Sequence, residues 1–107
     1  MKGTYLGEFE ELVLLTVAVL NGEAYGISIA ELIEKESNRS VTISTIHNVL
    51  YRLEDKGYVK SELGGATAER GGRKKRLFSI TATGHAVLNE SKQLRNKLWD
   101  AMPEFGF

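Results

Sequence analysis

The chain has 107 residues, 42% of them hydrophobic and 26% charged, with no cysteine and a formal net charge of zero. That length allows one domain with a modest core, near the size where a second copy completes the burial, and the lack of thiols excludes disulfides and thiolate metal sites. A zero sum argues against a nucleic-acid binder, but the charge is divided: residues 1–40 carry three cations against seven glutamates, residues 60–76 six cations against two, and binding responds to the field of a patch.

Residues Gly7 to Leu20 read as a first helix. Phe9, Leu12, Val13, Val17 and Leu20 make one stripe, while Leu14, Leu15, Ala18 and Val19 fill the other side. A helix that is apolar nearly all round needs cover on more than one face, and the few other elements of so small a domain could hardly wrap it, so a second subunit is expected there. The apolar run Leu12–Leu20 is too short to span a bilayer, and Glu8, Glu10 and Glu11 precede it where a signal peptide carries positive charge; a reducing, cytoplasmic setting is the default.

Asn21 to Gly26, with two glycines and no apolar period, ends that helix. A second helix over Ile27–Glu36 turns Ile29, Leu32 and Ile33 inward, and Ser37–Ser40 closes it. Thr42 then stands where an N-cap belongs, and a third helix runs from Ile43 to Lys56 and stops at Gly57. At 3.6 residues per turn, Ile43, Ile46, Val49, Leu50 and Leu53 gather on a core face. Ser44, Asn48, Tyr51 and Arg52 gather opposite, with Thr45 and His47 at the flanks. A merely solvated helix face carries a mixture of glutamate and lysine; the first two turns of this one are small and hydrogen-bonding.

Two strand signals follow. Tyr58–Leu63 alternates with Val59 and Leu63 on one face, and Leu77–Ile80 with Phe78 and Ile80 on one face. Between them Gly64-Gly65 and Gly71-Gly72 bracket a loop ending in Arg73, Lys74, Lys75 and Arg76, which makes a hairpin with a long basic tip. Thr81 caps a last helix from Ala82 to about Met102, where Val87, Ser91, Leu94, Leu98 and Met102 step by four and three, the spacing of a seam for a partner helix. Pro103 ends it.

The expected fold is therefore mainly α (α+β): a winged helix-turn-helix over residues 1–81 with a two-stranded β-hairpin wing, and a dimerisation helix and tail over 82–107, together one compact unit. In such a motif the second helix of the pair enters the major groove by its N-terminal residues, and the hairpin follows the backbone or the minor groove.

At this point the chain resembles the PadR family of bacterial transcription regulators. The resemblance rests on Leu6-Gly7-Glu8-Phe9-Glu10, on Tyr25-Gly26, and on the run from Thr42 to Gly57. Gly71 to Phe78 and Ile80 to Gly84 complete an ordered set that covers nearly the whole chain. The resemblance implies a homodimer, formed mainly through the first and last helices, that represses transcription from operator DNA. Because the chain carries one long helix where many relatives have a larger helical domain, it is similar to the short subfamily, whose members can respond to small apolar or aromatic molecules held at the dimer interface.

Within that frame Ser44, Thr45 and Asn48 are the base-edge or phosphate candidates, since Asn pairs bidentately with adenine and short hydroxyls take either role. Tyr51 and Arg52 suit phosphates, and Thr42, the cap of the helix, completes the DNA-binding set on it. His47 either reaches DNA or lies against the second helix. Among Arg70, Arg73, Lys74, Lys75 and Arg76, alternation sends Arg73 and Lys75 one way and Lys74 and Arg76 the other. The candidate dimer and effector interface is Leu12, Leu15, Val19, Val87, Leu94, Leu98, Trp99 and Met102. Trp99 either packs in the seam or, with its symmetry mate, flanks a cavity for a planar effector.

His85 reads as structural, and two histidines without thiols or clustered carboxylates give no metal set. No nucleophile has a plausible base, and Gly71-Gly72 leads into a strand rather than a phosphate-cradling helix, so no enzyme and no cofactor is expected. The competing function is a winged-helix module that binds protein, which the acidic first 40 residues suit; the basic wing and the small polar face favour DNA.

Overall fold

A computed structural model describes residues 6–64 and 75–104. Three helices come first: α1 (Glu8–Val19), α2 (Gly26–Ser37) and α3 (Ile43–Asp55). An antiparallel pair follows, β1 (Val59–Gly64) and β2 (Lys75–Ile80), and then α4 (Ala82–Ala101). Local chemistry sets these limits. Thr42 Oγ1 accepts from Thr45 N at 3.1 Å to start α3, and Thr81 Oγ1 accepts from Gly84 N at 3.0 Å to start α4. Gly57 takes φ +83°, the left-handed stop after α3, and Asn38 takes φ 61° after α2. The second helix begins one residue earlier than its apolar period suggests, because Ser28 Oγ accepts from Tyr25 N at 2.9 Å and secures the turn into Gly26.

The core joins all the elements. Val13, Leu14 and Val17 of α1 meet Ile29 and Ile33 of α2, Ile46, Val49, Leu50 and Leu53 of α3, Val59 and Phe78 of the hairpin, and Val87 and Leu88 of α4. Thr16, the one polar residue buried with them among the described residues, donates its hydroxyl to Leu12 O at 2.8 Å. The hairpin is registered from Val59 opposite Ile80 to Gly64 opposite Lys75, and Phe78 N donates to Ala24 O at 2.9 Å, so the turn between α1 and α2 is stitched to the root of the wing.

Three expectations about packing are corrected. Ile43, placed on the core face, is 39% exposed, because it is the first residue of α3 and projects past the body that covers Ile46. Leu63 shares the face of Val59 but overhangs the core and is exposed. Val87, placed at the dimer seam, is only 6% exposed: the first two turns of α4 dock on their own domain through Gly84, Val87 and Leu88. Among the described residues no helix is long and apolar enough to cross a membrane.

Candidate nucleic-acid interface and helical groove

The third helix is fixed by one face and presents the other. Its buried residues recur at helical spacing, which leaves Ser44, Thr45, Asn48, Tyr51 and Arg52 all on the exposed side. Thr42 and Thr45 act together: the Thr42 hydroxyl donates to Thr45 Oγ1 at 3.0 Å, and Thr45 Oγ1 retains its own proton to donate. Beyond the first turn, Asn48 offers an acceptor and two donors, and Tyr51 a phenol. A surface of small hydrogen-bonding groups on a helix held rigidly from behind can read base edges in a groove.

His47 is not on that surface. It is half-buried against the start of α2, with ring centroids 5.8 Å from Tyr51 and 6.0 Å from Phe78, and its Nδ1 is buried without a hydrogen-bond partner. Of the two orientations open to it in the sequence, the structure takes the one facing the second helix.

The described part of the wing separates its cations. Lys75 is exposed, its Nζ 5.5 Å from the centroid of the Tyr25 ring. Arg76 turns the other way, as alternation requires, and is drawn inward: its Nη1 donates to Ser61 Oγ at 2.9 Å, and the Ser61 hydroxyl donates to Glu54 Oε2 at 2.9 Å. Arg76 is thus a brace between the hairpin and α3 rather than an outward cation. Arg70, Arg73 and Lys74 lie outside the described residues.

A set of contacts escaped the sequence reading. Glu8, Glu10 and Glu11, noted there only for their sign, each hold a different element to α1. Glu8 pairs with Arg39 after α2 at 2.8 Å. Glu10 accepts from Gly7 N at 3.0 Å and pairs with Arg52 at 3.2 Å and Lys56 at 3.0 Å. Burial pushes the Glu10 carboxyl up, but the Gly7 amide, Lys56 and Arg52 outweigh it and hold the group below its ordinary value. Arg52, a phosphate candidate, is therefore engaged through Nε while its side chain stays 57% exposed. Glu11 pairs with Arg95 at 2.9 Å and accepts from the Ser91 hydroxyl at 3.0 Å, tying α1 to α4.

Between α1 and α4 lies a groove of about 530 Å³ lined by Leu15, Ala18, His85, Leu88, Arg95 and Trp99 among others. His85, expected to be structural, is exposed in its wall, because α4 turns that side away from the core. Past the docked turns, Leu94, Leu98, Trp99 and Met102 are exposed, as are Leu15 and Val19 of α1; Trp99 is 66% exposed. Leu12 is partly buried against the core and borders a smaller apolar groove with Leu15 and Val19. Among the described residues no group of three His, Cys, Asp or Glu side chains could hold a metal ion.

Comparison with known proteins agrees with this architecture. No curated protein sequence matches the chain. A PadR family transcription regulator from hypervirulent Clostridium difficile is similar in structure at 25% identity over 90% of this chain and 95% of that one, with a TM-score of 0.73. A PadR-like transcriptional regulator from Bacillus cereus is similar at 22% identity over 86% of this chain and 84% of that one, with a TM-score of 0.68. Bacillus subtilis PadR in complex with operator DNA is similar at 16% identity and a TM-score of 0.63, over 94% of this chain and 50% of that one. The family profile described as transcriptional regulator PadR-like matches residues 14–90, from the middle of α1 through the hairpin into α4. On that match the protein belongs to the PadR-like family of transcriptional regulators, winged-helix proteins that are regulators rather than enzymes.

Proposed function

We propose that the chain is a sequence-specific repressor that binds operator DNA as a cytoplasmic homodimer and is released by a small apolar or aromatic effector. The observation that carries this reading is α3 itself: every large apolar residue from Ile46 onward on its inner side is buried, so Ser44, Thr45 and Asn48 are displayed by a rigid element. Lys75 supplies sequence-independent attraction beside them. The operator complex of Bacillus subtilis PadR supports DNA as the partner. The apolar second half of α4, exposed beside Leu15 and Val19, supports a second copy as its cover, and the groove at Trp99 supports an effector there. An operator that overlaps the promoter, once occupied, excludes polymerase, and that is the ground for reading the regulator as a repressor. Of the seven acidic residues that would favour a protein-binding module, Glu8, Glu10 and Glu11 are engaged in ties within the chain.

The test is a mobility shift of the full chain on duplex from its own upstream region at two salt concentrations. Selective binding is expected. Asn48→Ala should lose about 1–3 kcal/mol of discrimination between operator and random duplex. Lys75→Ala should weaken binding to both and flatten the log–log salt slope by roughly one unit. Binding no tighter than to random duplex at low salt would refute the reading.

A further inference from the structure

Gly26, the first residue of α2, and His47, in the middle of α3, meet in the structure. A Cβ built on Gly26 would lie 2.6 Å from His47 Nε2 and 3.2 Å from both Cδ2 and Cε1 of the same ring. Carbon-sized atoms rest at about 3.5 Å or more, so one methyl group would oblige the imidazole or the helices to give by about 1 Å. Aromatic neighbours flank the ring, and its open side borders a groove that it lines with Tyr25, Ile27 and Lys75. Tyr51 lies beside it one turn along α3, Phe78 of the wing root is 6.0 Å away centroid to centroid, and no hydrogen bond steers its Nδ1.

Three elements therefore meet on one side chain: the first residue of α2, the middle of α3 and the base of β2. Phe78 is also the residue whose N–H bonds to Ala24 O, two residues before Gly26, so the wing root is tied to the segment that leads into α2. His47 directly precedes Asn48 and lies one turn after Ser44. A shift of the imidazole is a shift of that exposed face relative to the wing.

We infer that His47 is a positioning residue for DNA readout, a spacer whose thickness, fitted to the bare Cα of Gly26, sets the offset between the reading face of α3 and the wing. This rests on the DNA-binding reading proposed above. It adds a specificity role for two residues that touch no base.

The experiment compares wild type, Gly26→Ala, His47→Ala and the double variant, with melting temperature and the ratio of operator to random-duplex affinity as readouts. Wild-type binding without selectivity would sink the DNA-binding reading itself, whereas selective wild-type binding isolates the present inference. Gly26→Ala should cut the ratio by about tenfold while random-duplex binding at low salt holds, and its penalty should vanish in the His47→Ala background, as expected of residues in direct contact. His47→Ala alone should fold and also lower the ratio. The inference is overturned if the Gly26→Ala penalty is the same in both backgrounds, or if operator and random-duplex affinities fall together. Should Gly26→Ala fail to fold, His47→Ala decides alone: an unchanged ratio overturns the proposal, and a reduced ratio in a folded protein supports it.

Discussion

Glu10→Gln tests whether the carboxylate of α1 holds α3 by charge. Glutamine keeps the shape and can still accept from Gly7 N, so the substitution removes the negative charge facing Arg52 and Lys56 with little else. Glu10 itself is only 12% exposed, but Arg52 is 57% exposed and screened by solvent. Two such pairs together are worth about 1 kcal/mol. For a domain of this size that lowers the melting temperature by about 4–8 °C.

The pH dependence gives the sharper check. Glu10 titrates below its ordinary value of 4.5 in the folded chain. A carboxyl whose folded pKa is depressed contributes stability that is fully present above the unfolded value and is lost as pH falls through the folded one. Glutamine does not titrate, so the gap between wild type and variant should be constant from pH 7 down to about 5 and close below 4.5. Thermal melts at matched protein concentration, followed by circular dichroism across that range, measure it. An equal gap at pH 7 and pH 3 would refute the electrostatic account, as would no gap at pH 7.

Two further outcomes are expected. Gly84→Ala would place a Cβ 2.2 Å from Tyr58 O and 3.0 Å from Ile80 Cγ1, against backbone that cannot swing aside; despite alanine's better helix propensity, it should cost about 1–3 kcal/mol in denaturant unfolding, and equal stability would show that α4 docks otherwise. Leu98→Glu alters a residue that is 59% exposed in the single chain; on the proposed dimer, wild type should sediment as dimer and the variant as monomer with helix content unchanged, and a wild type that is already monomeric at tens of micromolar would remove the dimer from the proposal.

Features whose physics is local were legible in the sequence. The Thr42 and Thr81 caps, the left-handed Gly57 and the inner stripe of α3 from Ile46 to Leu53 each depend on residues within a turn or two. Alternation placed Lys75 and Arg76 on opposite sides of β2 but could not say which side meets the body, and only the Ser61–Glu54 relay shows Arg76 turned inward. Periodicity likewise cannot distinguish a helix's own domain from a second copy, which is why Val87 reads as a seam residue although it docks on its own domain. The ties from Glu10 span 42 and 46 residues, and no spacing rule reaches that far. Nor does any pattern announce that a glycine and a histidine twenty-one positions apart will touch.

The Glu10–Arg52 pair also bears on how phosphate contacts should be counted. Each phosphate neutralised by a cation releases bound counterions, which is why the slope of affinity against salt is used as a census. An Arg52 that turned from Glu10 to a phosphate would leave the carboxylate paired with Lys56 at 3.0 Å, a neutral pair that needs no cation from solution. No uptake at Glu10 would then offset the release at the phosphate. On the proposed phosphate contact, Arg52 should count in full toward the slope, and Glu10→Gln should leave that slope unchanged.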